Sequence, residues 1–236
     1  IKKTSLSLSM NRQLSTKPLK IHGDSRSFNL SNILVINIKS SAFYKQLIPL
    51  NEFGQIFRSH LLQLDNVEAY ENMSSTSKPT KAFCILFKLF HLRLSEKQLV
   101  ELIRYPNSTY VRAIGFLYIR LTQEPVQVAN WLFDYIEDAD EFKPTKDPQC
   151  IMTIGQFVAM LLEQTKYFDQ IVLPRIPVLL MRDIQQELDL VRHLIPLPTD
   201  SQSIKQSSHF QLSSQTTRGK KRSSFHDPRG GGDHKR

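Results

Sequence analysis

Between Thr80 and Leu121 three apolar segments follow one another almost without interruption, each at helical spacing. Ala82, Phe83, Leu86, Phe87, Leu89 and Phe90 recur at three- and four-residue intervals, and the run from Lys81 to Leu92 is apolar nearly all the way round, which predicts an enclosed central helix. Ser95 followed by Gln98 reads as a capping box, with Leu99, Leu102 and Ile103 as the buried stripe and Pro106 beyond the end. Asn107 or Ser108 can cap the next helix, which carries Val111, Ile114, Phe116, Leu117, Tyr118 and Leu121. Gly115 inside it costs about 1 kcal/mol relative to Ala, so its presence predicts that another backbone passes close by.

The flanks are less regular. Residues 1–30 are rich in Ser, Lys and Asn without periodicity and read as a disordered arm. Ile33, Leu34, Val35, Ile36 and Ile38 fit a short strand or an extended segment packed on the body, and the pattern leaves the choice open. Asn51 is a candidate cap for a helix through Phe53, Ile56, Phe57, His60, Leu61 and Leu64, and the polar stretch 71–80 is a loop. Pro125 opens a helix through Val128, Trp131, Leu132, Tyr135 and Ile136. Residues 137–148 form an exposed acidic, Pro-containing loop, and Thr153 caps a helix through Ile154, Phe157, Val158, Leu161 and Leu162. Pro174 and Pro177 impose an extended stretch before a helix from about Val178 to Leu190, and beyond Pro196 and Pro198 the Ser/Gln/Thr-rich composition cannot bury enough apolar surface to fold.

With 236 residues, 40% of them hydrophobic, the chain can form one domain of roughly 150 residues plus tails. The formal charge of +9 suggests nucleic acid until it is divided by region. Residues 1–30 hold six Lys/Arg against one Asp and residues 201–236 hold eight against two, which leaves about −2 for residues 31–200. The positive charge therefore belongs to the tails. Cys84 and Cys150, the two cysteines, lie in no metal or redox spacing, as expected in a reducing compartment. The longest apolar runs are about eleven residues, short of the ~20 that cross a bilayer, so no membrane association is expected. No secretory signal is evident, and a chain that begins with Ile is expected to have a segment upstream.

The arrangements that catalysis requires do not emerge. No His-Glu-x-x-His, phosphate-binding Gly-rich loop or Gly-x-Ser-x-Gly elbow occurs. Cys84 on its apolar helix reads as a small core residue, and His91 as a polar residue satisfied by nearby carbonyls. Asp134, Glu137, Asp138, Asp140 and Glu141 mostly share one loop without an apolar cleft to shift their pKa values. No catalytic residue, metal ligand, cofactor or small-molecule substrate is expected. Arg112 and Arg120 are eight positions apart, about 80° around the helix. Set among apolar neighbours, each needs a carboxylate, carbonyl or phosphate, either within the fold or on an acidic partner or RNA. Tyr110 and Tyr118 read as core aromatics with a hydrogen-bonded hydroxyl, or else as stacking platforms.

The wording of several segments carries more than their periodicity. Thr80-Lys81-Ala82-Phe83-Cys84-Ile85-Leu86-Phe87-Lys88-Leu89-Phe90 and Tyr110-Val111-Arg112-Ala113-Ile114-Gly115-Phe116-Leu117-Tyr118-Ile119-Arg120 closely resemble the pre-mRNA-splicing factor 38 family, B-type branch. Residues 37–45, 150–155 and 173–178, the last including Arg175, match in the same order, so the resemblance covers about residues 31–190. It implies a mainly α, compact multi-helix orthogonal bundle, with a short strand or hairpin as an allowed addition. It also implies a non-enzymatic, nuclear scaffold that binds other spliceosomal proteins as the precatalytic spliceosome matures. The expected division is a disordered basic arm over 1–30, the helical domain over 31–192 and a disordered basic tail over 193–236. Two departures stand out: the tail has no long Arg-Ser repeat, and the family's Gly-rich stretch before Thr80 is absent.

The candidate partner or structural contacts are Tyr110, Arg112, Gly115, Tyr118, Arg120 and Arg175. Arg218, Lys220, Lys221 and Arg222 form a candidate nuclear signal. The tails would add sequence-independent, salt-sensitive attraction to RNA. The competing reading is a general RNA-binding helical module acting through those tails.

Overall fold

A computed structural model describes residues 13–71 and 78–199. Two helices form its centre, and both follow from the pattern above. Helix α4 (Lys81–Leu92) buries every residue from Ala82 to Phe90, and α6 (Thr109–Thr122) buries every residue from Val111 to Thr122. The Thr80 hydroxyl accepts the Phe83 amide at the start of α4, and the Ser108 hydroxyl accepts the Val111 amide at the start of α6. Such caps are worth about 1 kcal/mol each.

The remaining helices cover this pair. Helices α1 (Asn32–Ser40), α2 (Ala42–Leu47) and α3 (Phe53–Ser59) pack around α4. Helices α5 (Glu96–Ile103), α7 (Pro125–Leu132) and α8 (Ile154–Glu163) surround α6, and α9 (Val178–Val191) closes over α7 and α8. Full capping boxes start α5, from Ser95 and Gln98, and α8, from Thr153 and Gln156. Among the described residues the strands form two antiparallel pairs, β1 (Glu141–Phe142) with β2 (Met152–Thr153) and β3 (Lys166–Tyr167) with β4 (Ile171–Val172). The fold is mainly α with two short hairpins.

Gly115 marks a close approach of α5 to α6. A Cβ there would lie 2.6 Å from Ile103 Cγ2 and 3.2 Å from the Ile103 backbone nitrogen. The contact foreseen from its helix-interior position is this one.

Several expectations change. The segment containing Ile33 to Ile38 is helix α1, burying Leu34, Val35 and Ile38, with the Ser31 hydroxyl at its N-cap. The helix expected from Asn51 to about Asp65 ends at Ser59, its N-cap is Glu52, and a 3-10 turn, Leu61–Gln63, follows.

The larger correction is to the disordered arm over 1–30, because from residue 13 onward the chain lies along the body. Leu19 N donates to Leu94 O and His22 N to Thr122 O, and Phe28 and Leu30 are buried in the core. An extended segment buries scattered side chains and satisfies its backbone on neighbours, so it shows no helical period.

The boundary of the C-terminal tail shifts in the same way. Past α9 and the 3-10 turn Arg192–Leu194, the Thr153 hydroxyl donates to Pro196 O at 2.9 Å and Thr199 donates to Glu141. Residues 193–199 are thereby tied to the β1–β2 hairpin and the α8 N-terminus.

Candidate functional site

The two arginines of α6 are both buried, with relative exposures of 7% for Arg112 and 3% for Arg120, yet their surroundings differ. Arg112 Nε donates to Ile103 O at 3.2 Å, one terminal nitrogen donates to Asp140 at 2.6 Å, and the other pairs with Asp138. The acidic loop expected to be merely solvated thus folds back as a carboxylate clamp. Asp138 also accepts the Gly155 amide through its carbonyl, and a Cβ on Gly155 would collide with Ile136 O, so the clamp rests on the first turn of α8.

Arg120 Nε donates to Leu161 O at 2.7 Å, near the C-terminal end of α8 where helical carbonyls lack intrahelical donors. Among the described residues no carboxylate pairs with it. Burial pushes its pKa down to about 10.

Tyr118 lies fully inside, its hydroxyl accepting the Leu94 amide at 3.1 Å, and burial pushes its pKa up to about 12. Tyr110 is half-buried, edge-on to Phe142 with ring centroids 5.8 Å apart. Burial raises its pKa, while a hydrogen bond with the Lys143 backbone opposes the rise. Arg112, Gly115 and Tyr118 therefore act inside the fold, tying α4, α5, α6 and the acidic loop together. Cys84 is buried, its thiol raised to about 11 by that burial. His91 Nδ1 lies 2.9 Å from Phe87 O. Arg175 is exposed, and the nuclear-signal residues Arg218, Lys220, Lys221 and Arg222 lie outside the described residues.

A cleft of about 590 Å³ connects Arg120 with Arg175 and is also lined by His22, Asn29, Gln123 and Gln170. A second cleft of about 640 Å³ lies on the other side of the extended segment, lined by Leu19, Ile21, Glu96, Gln127, Trp131 and Asp134 among others. His22, Gly23 and Gln123 line both, so the segment around His22 separates them. That segment is held by Asn29. Its amide nitrogen donates to His22 O and Leu121 O, and its amide oxygen accepts the Asp24 N–H. Asn29 adopts φ 63° and Gly23 φ 85°, backbone that Asn tolerates and Gly favours.

Sequence reasoning missed Asn29 and Lys88, and it named Asp138 and Asp140 without pairing them to Arg112. Lys88 sits on the apolar helix α4 with its Nζ donating to Ile48 O at 2.8 Å. The alternation of Leu19 with Ile21, and the apolar Phe28 and Leu30, were the available signals for a packed arm. Among the described residues no group of three or more His, Cys, Asp or Glu could hold a metal ion, and no helix is long and apolar enough to cross a membrane.

These features define a class: a mainly helical domain whose accessible chemistry lies in surface clefts, with the buried charge of Arg112 committed to the fold. The particular family follows from comparison with known proteins. Residues 19–186 match the PRP38 family, and the chain belongs to that family. Pre-mRNA-splicing factor 38B of Homo sapiens is 31% identical over 188 residues, covering 72% of this chain and 34% of that protein. Pre-mRNA splicing factor SR-like 1 of Arabidopsis thaliana is 33% identical over 172 residues, covering 72% of this chain and 43% of that protein. The B-type resemblance read from the residues agrees with the 38B relatives, and the chain spans about a third of their length. Among solved structures, the Snu23-Prp38-MFAP1(217-258) complex of Chaetomium thermophilum contains a similar chain. Its TM-score is 0.60 at 26% identity, covering 74% of this chain and 88% of the other.

Proposed function

We propose that the protein is a non-enzymatic scaffold of pre-mRNA splicing that holds other splicing proteins in the nucleus while the precatalytic spliceosome matures. The observation that carries this reading is membership of the PRP38 family together with the helical fold shared with a Prp38 chain solved in complex with Snu23 and a segment of MFAP1. The interior suits such a role. Its polar groups are spent on rigidity: the Arg112 clamp, the Tyr118 hydroxyl and two capping boxes fix the helices relative to one another. A rigid body offers partners a surface that costs little to order on binding.

Partner segments are expected to be helical or extended and to lie in clefts or on exposed apolar positions such as Ile33, Ile36, Val178 and Leu179. The basic tails add sequence-independent attraction to RNA that weakens as salt rises. Immunoprecipitation of the nuclear protein, probed for spliceosomal proteins and small nuclear RNAs, tests the reading. Recovery of splicing proteins is the expected result, and recovery of none overturns it. RNA binding by the full chain that does not change between low and moderate salt refutes the contribution of the tails.

A further inference from the structure

The cleft between α6, the α7 N-terminus and the β3–β4 hairpin has an uncommon charge arrangement. Arg120 is 97% buried by its 3% exposure, borders the cleft, and has among the described residues one hydrogen-bond acceptor, a backbone carbonyl, for a guanidinium with five N–H donors. Arg175 stands on the same cleft from the extended stretch after β4, and no Asp or Glu is among the lining residues. The nearest acidic neighbours in sequence face other duties. Asp24 accepts from the Ser27 hydroxyl and the Arg26 amide, Glu124 borders the other cleft, and Asp169 pairs with Lys166. A guanidinium withdrawn from water without a countercharge is costly, as the lowered pKa of Arg120 records, and such a site gains most when an anion enters.

We propose that this cleft binds the carboxylate of an Asp or Glu side chain presented by a partner peptide, with Arg120 at its base and Arg175 at its mouth. The walls favour a peptide over a nucleic acid. Pro125, Val128, Ile171 and Leu173 supply apolar contact beside the cations, and Val172 at the rim is 68% exposed. A guanidinium fork matches a single carboxylate, whereas a nucleic-acid phosphate backbone requires positive charge spread along a track. Among the lining residues Arg120 and Arg175 are the Lys/Arg side chains, with no run of cations along the walls. Gln123 and Gln170 add amides to the wall, although Gln170 is already occupied by the Ala69 and Tyr70 amides and by Glu68. The choice of a peptide as the source rests on the scaffold reading, while the anion site itself rests on the cleft.

The test is a titration of the ¹⁵N-labelled full chain, following arginine Nε–Hε resonances and the backbone amides of His22, Gln123 and residues 170–173. Acetate, inorganic phosphate and chloride are added at matched ionic strength, then two acetylated peptides of one apolar sequence with Glu or Gln at the centre. Acetate is expected to give saturable shifts that chloride does not, and the Glu peptide to bind at least about tenfold tighter than the Gln peptide. Arg120→Ala risks misfolding, so Arg175→Ala and Gln123→Glu serve as variants. The first should weaken the Glu peptide about tenfold, and the second, by placing a carboxylate in the cleft, should abolish its binding. Equal binding of the two peptides, equal effects of chloride and acetate, or saturation by phosphate or acetate alone with no response to the Glu peptide overturns the proposal. None of those outcomes touches the scaffold reading, which is read by co-purification.

Discussion

Arg112 and Arg120 occupy one helix, are buried to nearly the same depth, and are separated by two turns, yet the fold treats them differently. Arg112 meets two carboxylates and a carbonyl, so its charge is neutralised inside the structure. Arg120 meets a carbonyl and a cleft. The difference teaches that burial alone does not assign a role to a charged side chain: the first arginine fastens the 137–148 loop to α5 and α6, while the second retains donors for something outside the chain. Removing one partner of a paired buried charge strands the other, whereas replacing an unpaired buried charge with an apolar group of similar size also removes its desolvation cost.

The contrast is sharpest in stability. Arg112→Met leaves Asp138 and Asp140 without their counter-ion, and urea denaturation should show a loss of about 3 kcal/mol, moderated because the Asp140 side chain is 62% exposed. Gly115→Val presses α5 away from α6 at Ile103, the residue whose carbonyl holds Arg112, and should cost about 2 kcal/mol by the same measurement while leaving anion binding at Arg120 intact. Arg120→Met should change stability by no more than about 1 kcal/mol, since the lost carbonyl contact is offset by relief of desolvation. Equal losses for Arg112→Met and Arg120→Met would break the comparison.

The smallest effect concerns pH and the fastening of residues 193–199. Thr199 donates from both its amide and its hydroxyl to Glu141, holding that carboxyl below its ordinary value. A carboxyl whose pKa is depressed in the folded state contributes stability above its unfolded value, and that contribution is lost as pH falls through the folded value. The Thr199 amide should therefore stay protected at neutral pH and lose protection as pH falls beneath the ordinary glutamate value of about 4.3. Glu141→Gln should remove the pH dependence.

The sequence discloses the centre of this molecule far better than its edges. Helix α4 spans the predicted Lys81–Leu92, and the capping residues Ser95, Ser108 and Thr153 stand where their patterns place them, because caps and apolar stripes are local signals. Gly115 was readable for the same reason: a helix-interior glycine is anomalous within a few residues of context. The carboxylates of Arg112 were not readable as its partners, since Asp138 and Asp140 lie 26 and 28 positions away in a loop with no period. The arm was missed because extended chain satisfied by other elements, Leu19 by Leu94 and His22 by Thr122, leaves only a faint alternation in its own sequence. The cleft has the same origin, assembled from residues as distant as His22, Arg120 and Arg175.

Depletion and add-back in a splicing-competent nuclear extract tests the central claim most directly, with spliceosomal complexes resolved on native gels. The scaffold reading predicts that depleting the protein makes precatalytic complexes accumulate and that the purified full chain restores their progress at stoichiometric amounts. Undiminished splicing in the depleted extract, with no change in the distribution of complexes, would contradict it.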